Sequence, residues 1–357
     1  MSEQSKRILV TGGSGYIGSG LLPRLFARGY KVTNLDLDLY GNQCESFLRS
    51  HDSWAQWAPN YKKIQGDIRD PVAVKEALTG ADAVVHLAAI SNDPTGELDE
   101  YLTRQVNFDA VGMLVSMART MGVQRFLHAS SSSVYGYKEE ERIVETLEPN
   151  PLSYYAKYKL LSEWVVRAAS GSDFVTVCLR PATVCGISPR QRFDLTVNKL
   201  TVDAIRKGVI TVHGGAQRRP NVAMEDMVEI YLQLLEAPAE TINGQVFNFG
   251  FENMRVGDIA ELIRDELSAL PVRIEVVEKT DPRDFHMCSD KIRDALGYRP
   301  HASMRSAIRD LHHQLVVLGA HPDEEADEYY NLKSMHLDPC ALPFQYLGML
   351  KGLPDGA

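Results

Sequence analysis

The segment Val10-Thr11-Gly12-Gly13-Ser14-Gly15-Tyr16-Ile17-Gly18 constrains this chain more than any other. Its glycines at 12, 15 and 18 stand between a β-branched run at 8–11 and an amphipathic pattern at 16–28. Gly12 allows a tight turn, Gly15 lets backbone approach a pyrophosphate, and Gly18 lets a helix pack closely on a sheet. Tyr16 and Ile17 then open that helix, whose free N–H groups and partial positive charge suit an anion. A glycine triplet alone can mark a plain turn. Here it lies between strand and helix, and Asp36 closes the next strand pattern at about the expected 20-residue distance, as a dinucleotide site requires. A carboxylate there accepts hydrogen bonds from ribose hydroxyls and repels a 2′-phosphate. Leu37 follows it, so no cation is adjacent in sequence, which favours NAD over NADP.

The rest of the first half repeats one rhythm. Strand patterns at 8–11, 31–36, 63–66, 83–87, 125–128 and 175–180 alternate with helical patterns at 16–28, 71–79, 99–121 and 153–169. Such alternation predicts a Rossmann-type, doubly wound parallel sheet of the α/β class. Residues 1–180 are assigned to this nucleotide-binding domain. Residues 181–320 mix helical patterns at 195–207, 225–236 and 256–268 with strand patterns at 209–212, 245–248 and 272–277. They are expected to form a smaller α/β substrate lobe at the C-terminal side of the sheet, with the chain free to cross back to it. Residues 321–357 form an extension, acidic at 323–328 and apolar from Pro343 to Leu350, expected to pack or to contact a subunit.

Composition excludes several classes. With 44 % apolar and 24 % charged residues in 357, the chain can build a core and is not disordered. A net charge of −9 without a Lys/Arg run argues against nucleic acid and anionic membranes as partners. No apolar stretch approaches the roughly 18 residues of a spanning helix. Five scattered cysteines and the absence of metal-ligand spacing predict reduced thiols, no metal, and a cytoplasmic protein.

Ser153-Tyr154-Tyr155-Ala156-Lys157-Tyr158-Lys159 holds one Tyr-x-x-x-Lys pair, Tyr155 with Lys159, on one face of a helix. An ammonium beside a phenol favours the phenolate and tunes it as a general base. Tyr154 has no such partner, since position 158 is tyrosine. Ser130 to Ser133 follow a strand end that a doubly wound sheet turns toward its ligand crevice. Apart, these features also describe a surface pair and a turn.

Together they resemble the extended short-chain dehydrogenase/reductase superfamily in its nucleotide-sugar epimerase/dehydratase branch, of which UDP-glucose 4-epimerase is typical. The resemblance covers about residues 7–315 and rests on the glycine loop, Gly66-Asp67-Ile68, His86-Leu87-Ala88-Ala89, Asn107, Ser131 to Gly136, and Tyr155 with Lys159. It implies Ser131, Tyr155 and Lys159 as the catalytic trio. Asp67 and Ile68 are implied beside the adenine, Leu87, Ala88 and Ala89 along the cofactor, and Asn107 as the residue steadying that crevice. Ser91, Ser132, Ser133, Thr183 and Asn198 are the implied sugar-nucleotide contacts, with Arg219 and Arg283 on its pyrophosphate. Cys185 is read as a buried thiol or as an acid in epimerisation. Where dehydrating relatives carry Asp-Glu, this chain has Ser132 and Ser133, and Ala223 replaces a frequent histidine. The implied activity is that of a homodimeric, NAD-retaining nucleotide-sugar epimerase acting at C4. A C4 dehydrogenase or ketoreductase, a 4,6-dehydratase and a non-catalytic NAD(H) binder are the alternatives.

Overall fold

A computed structural model describes residues 6–279, 286–317 and 326–336. Seven parallel strands form the central sheet, in the order Gln245–Phe249, Val175–Pro181, Arg125–Ala129, Ala83–His86, Arg7–Thr11, Lys31–Asp36 and Tyr61–Gln65. Arg7–Thr11 sits between Lys31–Asp36 and Ala83–His86, so the winding direction reverses there. Register aligns the strand ends: Thr11 pairs with both Leu35 and His86, and His86 with His128. The residues that follow these ends, Gly12, Leu87 and Ser130, therefore border one crevice, where ligands bind in such sheets.

The sheet is buried on both faces. On one, Leu21, Leu22 and Leu25 of helix Tyr16–Ala27 pack with Met227, Val228 and Ile230 of helix Met224–Glu236. On the other, Val74 and Leu78, Leu114 and Val115, and Val166 come from helices Pro71–Leu78, Ala110–Thr120 and Tyr154–Ala168. At roughly 25 cal/mol per Å² of apolar surface, this two-sided burial is the main favourable term of the fold.

A later segment of the chain joins the central sheet. Gln245–Phe249 adds its seventh strand, and Met224–Glu236 covers one face of it, although both follow the first strands of the small lobe. The reason lies in the strand itself: Phe247 packs into one core and Val246 into the other, as a two-face-buried strand requires. The small lobe joins Thr183–Cys185, Arg218–Ala223 and Glu252–Arg255 in one sheet and Val209–His213 with Arg273–Val277 in a parallel pair. Helices Thr196–Lys207, Val256–Glu266 and Met304–His312 close over its core of Leu200, Ile210, Ile259, Ile263 and Ile308.

The pattern at 99–121 is not one helix. Glu100–Arg104 passes into a π-helical turn at Gln105–Asp109 before Ala110–Thr120 resumes as α-helix. One added residue per turn rotates Asn107 inward, and π-bulges of this kind gather at functional sites. Part of the extension is described: helix Asn331–His336 borders the sheet's crevice, and the Glu328 and Tyr329 carbonyls of Asp327–Tyr329 accept from Arg190 and the Phe193 N–H beside it. The apolar 343–350 stretch and most of the acidic cluster fall outside the described residues. Among the described residues no helix is long and apolar enough to cross a membrane, and no cluster of acidic, His and Cys side chains could hold a metal ion.

Candidate active site

A single cleft runs over the C-terminal strand ends, from the glycine loop at one end to Ser131, Tyr155 and Thr183 at the other. Gly12 has φ +73°, and a Cβ there would stand 2.6 Å from the Ala88 nitrogen. A Cβ on Gly18 would lie 2.4 Å from the Gly12 oxygen, so this glycine fixes how closely the helix packs on the loop. Gly15 is the N-cap of Tyr16–Ala27, with no side chain capping that terminus and no acidic residue in its first turn. The loop is an open, uncapped helix end pointing into the cleft, the form an anionic pyrophosphate requires.

Asp36 borders this end. Its two oxygens accept from the backbone N–H of Ser14 and of Asp38, both at 2.8 Å. Burial raises its carboxyl pKa, against the opposing pull of the Lys63 ammonium and those two backbone N–H groups. Lys63 corrects a sequence-based expectation. No cation is adjacent in sequence, but strand Tyr61–Gln65 brings this one to the same corner, where it bonds Asp38 Oδ1 at 2.6 Å and Ser14 Oγ at 2.7 Å. Asp38 balances its charge. Asp67 and Ile68 line the cleft nearby, with the Asp67 carboxylate held by the Arg69 guanidinium.

Leu87, Ala88 and Ala89 form the long wall. Asn107 stands behind it, fully buried, and clamps Ile90 by both backbone groups: the Ile90 N–H donates to its Oδ1 at 2.9 Å, and its Nδ2 donates to the Ile90 oxygen at 2.8 Å.

At the far end, Ser153 caps helix Tyr154–Ala168, accepting from the Ala156 N–H at 3.1 Å. That helix carries Tyr155 and Lys159 into the cleft. Tyr155 and Ser131 line the cleft together, and the Ser131 Oγ accepts from the Ser133 N–H at 3.1 Å. Burial pushes Tyr155 up to about 12; Ser131 and Arg192 pull it down and Asp93 pushes it further up. The Tyr-x-x-x-Lys spacing predicts a lowered phenol, so the direction is reversed. Lys159 is aimed at the Ala129 carbonyl, 2.7 Å away, and burial brings its own ammonium down to about 8. One turn further, Glu163 pairs in the interior with Arg180 and accepts from Ser130. His86 and His128 stack beneath, and burial, reinforced by Lys159, holds His86 down to about 3 and thus neutral.

The sugar-side expectations divide. Ser91, Ser132, Ser133 and Thr183 line the cleft. Asn198 lies beneath it, fully buried, where the Gly186 N–H donates to its Oδ1 at 2.9 Å and its Nδ2 donates to Tyr16 Oη and the Arg192 oxygen. With Tyr16, it holds the 186–192 loop in place. Arg219 belongs to strand Arg218–Ala223, away from the cleft walls, and Arg283 lies outside the described residues. Cys185 is buried off the cleft, with its thiol pushed up by burial.

Several residues that sequence reasoning passed over meet here. Arg190 stacks on Tyr40, 3.8 Å from the ring centroid, and donates to Asn331 Oδ1. Arg192 grips Asp194 with two bonds of 2.8 Å. The Asn331 amide reaches Ser91 Oγ at 2.7 Å, and Met335 packs with Ile90 and Leu102 beside the partly buried Leu37 and Leu39. Arg190 and Arg192 had a usable signal, since they follow strand Thr183–Cys185 at the crevice edge. Asn331 and Met335, far along the chain and beyond the recognisable motifs, had none.

Sheet order, glycine loop and Ser–Tyr–Lys end define an extended short-chain dehydrogenase/reductase. The chain belongs to the NAD-dependent epimerase/dehydratase family, whose model matches residues 8–250. Human dTDP-D-glucose 4,6-dehydratase is 29 % identical over 320 residues, 85 % of this chain and 88 % of that one. The uncharacterised protein y4nG of Sinorhizobium fredii is 32 % identical over 216 residues, and the chain spans about half its length, 49 %. Among solved structures, UDP-glucuronic acid 4-epimerase from Bacillus cereus, in complex with UDP-glucuronic acid and NAD, gives a TM-score of 0.76 at 25 % identity, covering 87 % of this chain and 99 % of that one. Streptomyces venezuelae DesIV, a dTDP-glucose 4,6-dehydratase with NAD bound, gives 0.75 at 26 %, covering 88 % and 98 %. The family's cofactor is NAD, and the residues fit it: an uncapped helix end for the pyrophosphate, Asp36 for the ribose, an apolar wall at Leu87 to Ala89.

Proposed function

We propose that the protein is an NAD-dependent nucleotide-sugar epimerase acting at C4. The observation that carries this reading is the hydroxyl-rich reacting end: Ser131 and Tyr155 face one cleft, with serines at 132 and 133 instead of the carboxylates that water elimination uses. NAD, held along the Leu87–Ala89 wall, would supply reversible hydride acceptance and a positive charge that favours the phenolate. Tyr155 takes the proton of the C4 hydroxyl and gives it back after reduction. Ser131 holds the reacting oxygen in both directions. Lys159, anchored on the Ala129 carbonyl one helical turn from Tyr155, keeps an ammonium at the cleft side of the same helix. Hydroxyls at 91, 132, 133 and 183 hold the sugar without a rigid ionic grip, so a 4-keto ring can present its other face. Binding energy comes mainly from the nucleotide diphosphate.

A homodimer accompanies this reading, supported by the large exposed side chains Tyr101 and Trp164 on adjoining helices. A second reading, 4,6-dehydratase, is favoured by the match to the human dehydratase along most of both chains. One experiment separates them. Wild type incubated with nucleotide hexoses is expected to give a C4 epimer of unchanged mass, whereas loss of water from the product would establish the dehydratase. Tyr155→Phe is expected to lower kcat by about 10³ or more while NAD stays bound; turnover near wild type would defeat both readings.

A further inference from the structure

The loop after strand Ala83–His86 makes its turn at Asn92, with φ 78° and ψ 156°. That conformation is nearly confined to glycine and tends to occur where function demands it. Two contacts hold it: Asn92 Oδ1 accepts from the Thr95 N–H at 3.0 Å, and Nδ2 donates to Asp194 Oδ2 at 3.3 Å. The turn is also fixed from the side, since a Cβ on Gly96 would stand 2.8 Å from the Tyr155 Cβ. Its product is the position of Asp93. One carboxylate oxygen accepts from Ser153 Oγ at 2.5 Å, the other from Ser133 Oγ at 3.5 Å.

Among the described residues three carboxylates line the cleft, and Asp36 and Asp67 belong to its nucleotide-cofactor end. Asp93 stands at the reacting end with Ser131, Ser133 and Tyr155. An ionised carboxylate only accepts hydrogen bonds. Its contacts with Ser153 and Ser133 already use it that way, toward hydroxyl donors. Arg192 on the same wall is gripped by Asp194, and Lys159 by the Ala129 carbonyl.

We infer that Asp93 selects the sugar: it receives a hydroxyl of a neutral hexose and turns away the corresponding uronate. The inference rests on the cleft's being a nucleotide-sugar site. A hydroxymethyl group can donate to Asp93. A sugar carboxylate there offers only acceptors and a like charge, and discrimination by mismatch is how binding sites exclude close analogues.

The test is calorimetric binding to NAD-loaded Tyr155→Phe protein, which needs no turnover. The probes are the uridine, thymidine and guanosine diphosphate esters of glucose, each paired with its glucuronate counterpart. In the preferred pair the glucose ester is expected to bind about 30-fold more tightly, the scale set by a lost hydrogen bond and opposed like charges. Asp93→Asn in the same background keeps an acceptor for Ser153 and is expected to shrink that ratio to about 3-fold or less. Should that protein not fold, Asp93→Ser reads the same ratio. Equal binding, preference for glucuronate, a ratio unmoved by the substitution, or no binding in any pair would overturn the inference. If the ratio behaves as expected but wild type forms no C4 epimer from the bound ester, the selection stands and the epimerase reading falls.

Discussion

Tyr155 and Lys159 show what residue spacing can and cannot say. Spacing puts both on one helix face; it does not say where each head group points. Burial raises the phenol to about 12 and lowers the ammonium to about 8, so both are drawn toward their neutral forms. For Lys159 the sign follows from linkage. The folded state binds its proton less readily than the unfolded chain, whose lysine titrates near 10.5, so stability rises with pH between about 8 and 10.5. Lys159→Met removes that contribution. The stability of wild type minus that of the variant, from denaturant unfolding of NAD-free protein, is therefore expected to rise by about 3 kcal/mol from pH 7 to pH 11. A flat difference would mean that the ammonium is solvated. Lys63 teaches the same lesson at the adenosine end: a cation absent from the sequence neighbourhood of Asp36 arrives from the next strand.

Among elements, those with strong periodicity and a clear cap were legible within a residue or two: Lys31–Asp36, Pro71–Leu78 behind its Asp70 cap, and Tyr154–Ala168 behind Ser153. The π-turn at Gln105–Asp109 was not, because a one-residue shift in hydrogen bonding leaves the apolar pattern almost unchanged. The helix Asn331–His336 was illegible for another reason. Its role comes from Asn331 contacts to Ser91 and Arg190, more than a hundred residues away, which no local pattern encodes. These bonds tie the far end of the chain across the cleft between its cofactor and sugar ends. Asn331→Ala is expected to weaken NAD binding about 3- to 30-fold, the effect of one or two lost buried hydrogen bonds. Fluorescence titration with NAD checks this, and unchanged affinity would make the helix mere packing.

At the scale of the whole molecule, two exposed aromatic side chains stand on neighbouring helices of the nucleotide-binding half. Tyr101 is 64 % exposed and Trp164 55 %, on helices Glu100–Arg104 and Tyr154–Ala168 that touch one another. Residues of this kind dominate the energetics of protein contacts. Trp164→Arg is expected to shift the sedimentation of the protein from dimer to monomer, with the fold retained by circular dichroism. A wild type that already sediments as a monomer would remove the dimer from the picture.

The return of the chain to the central sheet has a consequence for how this architecture can be recombined. Because the seventh strand, Gln245–Phe249, and the covering helix Met224–Glu236 come from the middle of the second half, the nucleotide module is not a contiguous stretch of gene. A cassette cut after residue 180 would leave Val175–Pro181 as a raw sheet edge and bare the leucines of Tyr16–Ala27, an invitation to aggregate. A graft of new substrate specificity onto this scaffold has to enter as two separate inserts, one on each side of that returning segment.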